Sequence, residues 1–127
     1  MRIAIIGTGT WGTALAQVLV DNGHQVMMYG NTPSQVDDIQ KHHQNTRYFG
    51  NDVVLSKKIK ATSDLQQAVK SKRIILIAVP TNAVRPVLES IAPLLLHKVT
   101  IINTAKGFDP ATNQRMSELI REVIPKD

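Results

Sequence analysis

The sequence contains no cysteine, which excludes a disulfide framework and any chemistry that needs a thiolate. Aromatic residues are scarce at 4%. No apolar run approaches the roughly 20 residues that a membrane-spanning helix needs. The apolar start is broken by glycines at positions 7, 9 and 12, which argues against a secretion signal. We therefore expect a globular protein without a membrane span, and a cytoplasmic location fits the lack of cysteine.

Charge is modest and dispersed. The net charge is +5 over 127 residues, with 43% hydrophobic and 20% charged residues, a composition typical of one folded domain covering 1–127. The basic residues are scattered in short groups such as Lys57, Lys58 and Lys60, so we do not expect nucleic-acid binding. A mildly basic domain instead suits an anionic cofactor and a phosphorylated substrate. The adjacent His42 and His43 would point in different directions on a helix, and we expect no metal site.

The first eighteen residues carry the most informative pattern. An apolar run over Arg2–Ile6 predicts a buried strand, and residues 13–19 have a helical pattern. Between them stand Gly7, Gly9 and Gly12 in the spacing G-x-G-x-x-G. Glycine at these places permits a tight turn, close approach of a pyrophosphate to bare backbone, and close packing of helix on strand, in that order. Strand, glycine-rich turn and helix together predict a dinucleotide site whose diphosphate lies at the helix N-terminus.

The end of the second predicted strand bears on the choice of cofactor. About twenty residues after the glycine motif, an Asp or Glu would accept a hydrogen bond from the ribose 2′-hydroxyl of NAD. This sequence has Asn31 and Thr32 there, and neither repels a 2′-phosphate. The pattern therefore favours NADP or the use of both NADP and NAD. Thr32 with Gln35 also fits a helix capping box, with Pro33 at the first helical position, and the two interpretations are compatible.

Strands and helices alternate along the chain. Strands are predicted at 2–6, 25–29, 59–61, 73–79 and 99–103, and helices at 13–19, 33–43, 63–70, 83–96 and 111–124. Ser63 with Gln66 is expected to cap one helix, Pro86 to lie in the first turn of another, and residues 45–50 to be irregular. This alternation predicts a Rossmann-type α/β fold: a doubly wound parallel sheet in a three-layer α/β/α arrangement.

In such folds the ligand lies outside the carboxyl ends of the strands. Three segments meet there: residues 7–12, residues 79–81, which include Pro80, and residues 104–107. Lys106 is the only charged residue in this group, and we expect it to contact a phosphate.

Several segments resemble the amino-terminal domain of bacterial NAD(P)-dependent glycerol-3-phosphate dehydrogenase: residues 7–16, 45–49, 78–80 and 105–107. The resemblance implies oxidation of sn-glycerol 3-phosphate to dihydroxyacetone phosphate with NAD or NADP, in the supply of phospholipid precursors. It further implies that Thr10 and Trp11 bind the cofactor diphosphate and that Asn31, together with Thr32, binds its adenosine ribose. Lys106 would reach both cofactor and substrate.

The family's chain continues into a helical carboxyl-terminal domain with the catalytic lysine and most of the substrate site. Here the sequence stops at residues 124–127, where the next strand would begin. We therefore expect a truncated or isolated cofactor domain with no catalytic residue of its own, inactive alone. The resemblance also allows a homodimer of the full-length enzyme.

Two alternatives remain open from the sequence. One is a two-domain reductase like ketopantoate reductase, which shares the opening turn but not residues 11–16 and 105–107. The other is a stand-alone regulatory nucleotide-binding module, in which an acidic residue usually ends the second strand, where this chain has Asn31. Whether the reading frame continues past Asp127 would separate a sensor from an enzyme.

Overall fold

The sheet is entirely parallel. The computed structural model describes residues 2–50, 53–95 and 98–103. Its strands are β1 (Arg2–Ile6), β2 (Gln25–Tyr29), β3 (Ile59–Thr62), β4 (Ile74–Ile77) and β5 (Thr100–Asn103). They pair in the order β3-β2-β1-β4-β5. The direction of winding reverses between β1 and β4, and this confirms the predicted doubly wound Rossmann-type sheet.

Helices cover both faces of the sheet. They are α1 (Thr10–Asp21), α2 (Pro33–His42), α3 (Thr46–Phe49), α4 (Leu65–Val69) and α5 (Thr81–Ile91), the last followed by a 3₁₀ turn at Ala92–Leu94. Buried residues of α1 and α2 join one hydrophobic cluster, and those of α4 and α5 join another on the opposite face. The predicted three-layer arrangement is therefore confirmed for the part of the chain that the structure describes.

The central strand shows why its sequence is apolar throughout. Side chains alternate between the two faces of a strand. Ile3 and Ile5 of β1 pack in the cluster with α1 and α2, whereas Ala4 and Ile6 pack in the cluster with α4 and α5. Since both faces are covered, every position from 3 to 6 is buried. The register places Ile5 opposite Met28 of β2 and Leu76 of β4.

Both predicted capping boxes were wrong. At α4 the cap is Asp64 rather than Ser63, and its Oδ1 accepts hydrogen bonds from the backbone N–H of Gln66 at 3.1 Å and of Gln67 at 3.4 Å. At α2, Thr32 makes no side-chain cap. The side chain of Gln35 lies inward instead, against the turn that follows β1.

Other boundaries also differ from expectation. Residues 46–49, predicted as irregular, form the short helix α3. Pro86 lies inside α5, beyond its first turn, and α5 ends at Ile91 rather than near residue 96. Strand β4 is shorter than the predicted 73–79. Lys106 and the helix predicted at 111–124 lie outside the described residues.

The turn after β1 requires glycine for two separate reasons. Gly7 has φ +131°, which L side chains rarely adopt, and a Cβ there would overlap the carbonyl group of Ala78. A Cβ on Gly12 would lie 2.9 Å from the carbonyl oxygen of Gly7 and 3.3 Å from Cβ of Ala78. Helix α1 can therefore lie close against the turn and the end of β4 only because position 12 has no side chain.

Replacing Gly7 with alanine should destabilise the fold more than replacing Gly23. Gly23 also has positive φ, +88°, but nothing lies within 4 Å of the added Cβ. We expect Gly23→Ala to cost about 1 kcal/mol from backbone strain alone, and Gly7→Ala to cost more than twice that because the overlap with Ala78 is added. Denaturant unfolding without ligand measures both. Equal losses would contradict the role assigned to the overlap.

Candidate functional site

A cleft of about 680 Å³ opens at the carboxyl ends of β1, β2 and β4. This is where ligands bind in doubly wound sheets, beside the point where the winding reverses. Seven of the nine predicted site residues line it: Gly7, Gly9, Thr10, Trp11, Asn31, Thr32 and Pro80. Gly12 is buried behind the turn, where it governs packing rather than the cleft surface. The ninth, Lys106, lies outside the described residues.

The phosphate turn, defined as residues 7–9, is held to the sheet by backbone hydrogen bonds. Gly7 N–H donates to the carbonyl of Tyr29 at 2.8 Å, so the turn begins beside the end of β2. Gly9 is the N-cap of α1, and its carbonyl accepts from the N–H of Thr13 at 3.0 Å. It brings no side-chain cap, and α1 has no acidic residue in its first turn. The positive end of α1 therefore faces the cleft with neither a capping side chain nor a carboxylate in its own first turn.

Gly9 differs from Gly7 in what its backbone requires. Its φ of −78° and ψ of −169° are extended values that any residue adopts. The conformation alone therefore gives no reason for glycine at this position. What glycine provides is a bare backbone surface on the cleft, as close approach of a phosphate group demands.

The other end of the cleft is formed by the residues after β2. Gly30, Asn31 and Thr32 line it, and none of the three carries a carboxylate. Gly30 was not singled out from the sequence. A Cβ there would lie 2.8 Å from Cγ2 of Thr8 and 3.2 Å from Cγ2 of Val36, so the close approach of this segment to the phosphate turn depends on glycine.

Beneath the phosphate turn lies a buried polar network that sequence reasoning missed. The carbonyl oxygen of Thr8 accepts from Gln35 Nε2 and Asn45 Nδ2, both at 2.8 Å. Thr8 Oγ1 donates to Gln35 Oε1 at 3.0 Å, and Asn45 Nδ2 also donates to Thr13 Oγ1 at 3.0 Å. Gln35 Nε2 and Asn45 Oδ1 are 3.1 Å apart and close the network. All four residues are buried. We call this set, Thr8, Thr13, Gln35 and Asn45, the Thr8 network.

Arg47 is the charged residue that the structure adds to the site. It comes from α3 and lines the cleft. Among the described lining residues it is the only charged one, a place that the sequence had assigned to Lys106. Arg47 also lines a smaller adjacent cavity of about 410 Å³. The lining of that cavity includes Thr32 and Ser34 and the carboxylates of Asp37 and Asp38. The signal that could have found it is its position in the segment 45–49, one of the segments that carry the family resemblance.

The lysine whose pKa is shifted by its surroundings lies away from the cleft. Burial, and then the charge of Arg2, lower the pKa of Lys72. Arg2 begins β1, and Lys72 comes two residues before β4. Both therefore lie near the amino ends of the strands, whereas the cleft lies at the carboxyl ends. Within the described ranges, no three His, Asp or Glu side chains come together as metal ligands, and no helix is long and apolar enough to cross a membrane.

A family model described as the N-terminus of NAD-dependent glycerol-3-phosphate dehydrogenase matches residues 2–127. The glycerol-3-phosphate dehydrogenase (NAD(P)+) of Streptococcus uberis is 49% identical over 126 residues, which are 99% of this chain and 37% of that protein. Its counterpart in Streptococcus mutans is 48% identical over 124 residues, 98% of this chain and 36% of that protein. The chain thus spans little more than a third of the length of the curated relatives it matches.

Solved structures of glycerol-3-phosphate dehydrogenases superpose closely on this chain. The crystal structure of glycerol-3-phosphate dehydrogenase from Coxiella burnetii superposes with a TM-score of 0.90 at 31% identity, covering 98% of this chain and 38% of that one. The Plasmodium falciparum glycerol-3-phosphate dehydrogenase gives 0.86 at 28% identity, covering 99% and 38%. An arogenate dehydrogenase from Synechocystis, at 22% identity and a TM-score of 0.71 over 94% of this chain and 37% of its own, shares the fold.

Proposed function

This chain belongs to the NAD-dependent glycerol-3-phosphate dehydrogenase family, whose N-terminal model it matches over residues 2–127, and we propose from that premise that it is the cofactor-binding part of such an enzyme. The whole enzyme would interconvert sn-glycerol 3-phosphate and dihydroxyacetone phosphate with NAD or NADP. The observation that carries the proposal is that the phosphate turn lines the cleft and leads directly into the N-terminus of α1, which has no side-chain cap. The family match disfavours the ketopantoate-reductase and regulatory-module alternatives.

The residues that line the cleft suit the different parts of a dinucleotide. The backbone N–H groups at the start of α1, at Thr10 and Trp11, would hold the diphosphate, because the first turn of a helix leaves such groups without acceptors. Asn31 and Thr32 would hold the adenosine ribose at the far end, and Pro80 would form the wall at the end of β4. By resemblance, Lys106 would reach both cofactor and substrate. The bound nicotinamide would supply the hydride acceptor.

The remaining features of the proposal concern the protein as a whole. We place it in the cytoplasm, with a small phosphorylated substrate, without nucleic acid, and as a homodimer in its full-length form. The absence of cysteine and the dispersed basic residues support the first and third of these statements.

Gly9→Val should abolish binding of NADPH while leaving the fold intact. Valine can adopt the extended backbone of Gly9, so folding should suffer little. Its side chain would occupy the surface that a diphosphate must approach. Isothermal titration should therefore show a graded loss, small for Gly9→Ala and complete for Gly9→Val, with unchanged circular dichroism and unfolding midpoint. A Gly9→Val variant that binds like the parent would overturn the nucleotide-site proposal.

NADPH should bind at least as tightly as NADH, because no carboxylate follows β2 and Arg47 lines the same end of the cleft. Quenching of Trp11, the single tryptophan, which lines the cleft and is 59% exposed, would follow binding. Arg47→Met should weaken NADPH about tenfold, as for one lost charge-assisted hydrogen bond, and leave NADH nearly unchanged.

Lys41→Met is the matched control for Arg47→Met. Lys41 is an exposed cation on α2 that pairs with Asp37 at 3.8 Å and lines neither cavity. This variant should leave both affinities unchanged. Several-fold tighter binding of NADH by the parent protein would contradict the interpretation of Asn31 and Thr32. Equal losses of both cofactors in Arg47→Met would contradict the role of Arg47.

A polypeptide of residues 1–127 alone should bind cofactor yet not oxidise glycerol 3-phosphate. Hydride transfer needs a base to take the alcohol proton. The one charged side chain among the described cleft residues is Arg47, whose guanidinium donates hydrogen bonds and accepts none, so it cannot take that proton. Absorbance of the reduced nicotinamide measures turnover. Substrate-dependent reduction by this polypeptide would contradict the expectation and direct attention to His42, which lines the adjacent smaller cavity.

A further inference from the structure

The Thr8 network bears on one particular peptide unit, the one that joins Thr8 to Gly9. Its carbonyl oxygen, on Thr8, lies on the buried side and accepts from Gln35 Nε2 and Asn45 Nδ2 at 2.8 Å each. The hydroxyl of Thr13 donates to the same oxygen over a longer distance, 3.4 Å. Two side-chain amides from outside the turn therefore fix the direction of this carbonyl.

Fixing the carbonyl also fixes the N–H group of the same peptide. A trans peptide is planar, and its C=O and N–H point in opposite directions. There is no cis peptide in the described part of the chain. With the Thr8 carbonyl directed to the buried amides, the N–H of Gly9 is directed the other way, and Gly9 lines the cleft. The N–H adds a donor to those at the start of α1.

Asn45 acts at this site without touching the cleft. It is fully buried, at 0% exposure, whereas Gln35 lines the cleft and could meet a ligand directly. Asn45 is placed by the segment around it. Asp38 Oδ2 accepts from the N–H of Thr46 at 2.9 Å and from its hydroxyl at 3.0 Å, which anchors the start of α3 to α2 independently of the Asn45 side chain.

We propose that Asn45, with Gln35, is a positioning residue for the cofactor diphosphate: the two amides hold the Thr8–Gly9 peptide so that the Gly9 N–H faces the cleft. The inference rests on the proposed function, since it assumes that a diphosphate lies at the phosphate turn. It assigns to Asn45 an effect on one part of the ligand only. The adenosine end of the ligand would be contacted by Asn31, Thr32 and Arg47, none of which belongs to the Thr8 network.

The test compares the affinities of two ligands, measured by calorimetry on the whole protein. One is 2′-phospho-ADP-ribose, which carries the diphosphate and the ribose beyond it, and the other is 2′-AMP, which carries neither but shares the adenosine end. Asn45→Leu removes the amide without adding charge, and Asn45→Asp replaces the donor by an acceptor facing the Thr8 carbonyl. Both variants should weaken 2′-phospho-ADP-ribose about tenfold or more, as expected for a lost preorganised donor, and change 2′-AMP less than twofold.

Gln40→Met is the matched control. Gln40 lies on α2, the helix that carries Gln35, and its Oε1 accepts from the N–H of Ala61 at 2.7 Å, on the side of β3 rather than the phosphate turn. Its loss should lower the free energy of unfolding while leaving the ratio of the two ligand affinities unchanged. That ratio is a readout that a general loss of stability does not move.

If the Asn45 variants do not fold, Thr13→Val takes their place. It keeps the shape of the side chain but removes a hydroxyl that accepts from Asn45 Nδ2 at 3.0 Å and donates weakly to the Thr8 carbonyl at 3.4 Å. We expect about a threefold loss for 2′-phospho-ADP-ribose and none for 2′-AMP, since the amide is loosened rather than removed. Equal weakening of both ligands, or no weakening in folded variants, would overturn the inference. Failure of the parent protein to bind either ligand would instead overturn the proposed function.

Discussion

The carbonyl oxygen of Thr8 is a buried acceptor in the connection between β1 and α1. A buried carbonyl without a partner costs roughly 1–3 kcal/mol, so the fold must bring a donor to it. Gln35 and Asn45 come from α2 and from the residue before α3, respectively. Satisfying one backbone atom therefore fixes where both helices stand relative to the phosphate turn, and with them the wall of the cleft.

The need to bring donors to the Thr8 carbonyl connects Gly30 with the short helix α3. Thr8 presses against position 30, where a Cβ would lie 2.8 Å from its Cγ2. The chain after β2 can therefore enter α2 close to the phosphate turn, within reach of the Gln35 side chain. Helix α3 is anchored in turn through Asp38 and Thr46, which keeps Asn45 beneath the turn and Arg47 at the cleft. Gly30, the buried amide of Asn45 and the surface residue Arg47 therefore depend on one another through their positions around the phosphate turn.

The fold was predictable from sequence to the extent that it depends on neighbours in the chain. Apolar runs specified the strands, and the glycine spacing specified the turn, because those patterns act locally. The two capping boxes failed for different reasons. The Gln35 side chain reaches a carbonyl 27 residues away, and a capping box weighs only local partners. At α4 the competitor is local, because Asp64 stands one residue nearer than Ser63 to the amides that it caps. The Thr8 network was missed for the first of these reasons, since amide side chains carry no periodic pattern that marks a partner at long range.

The cleft divides recognition between backbone and side chains. At the phosphate turn the proposed contacts are peptide N–H groups, which meet the same diphosphate in NAD and in NADP and cannot distinguish the two. In the proposed binding mode, discrimination would come from side chains at the other end, where Asn31, Thr32 and Arg47 lie. The Thr8 network links the two ends through Gln35 and Asn45, and neither residue is among those three. In that binding mode, substitutions at positions 31, 32 and 47 would alter the preferred cofactor while the geometry of the phosphate turn, and the affinity it would supply to both cofactors, stays in place.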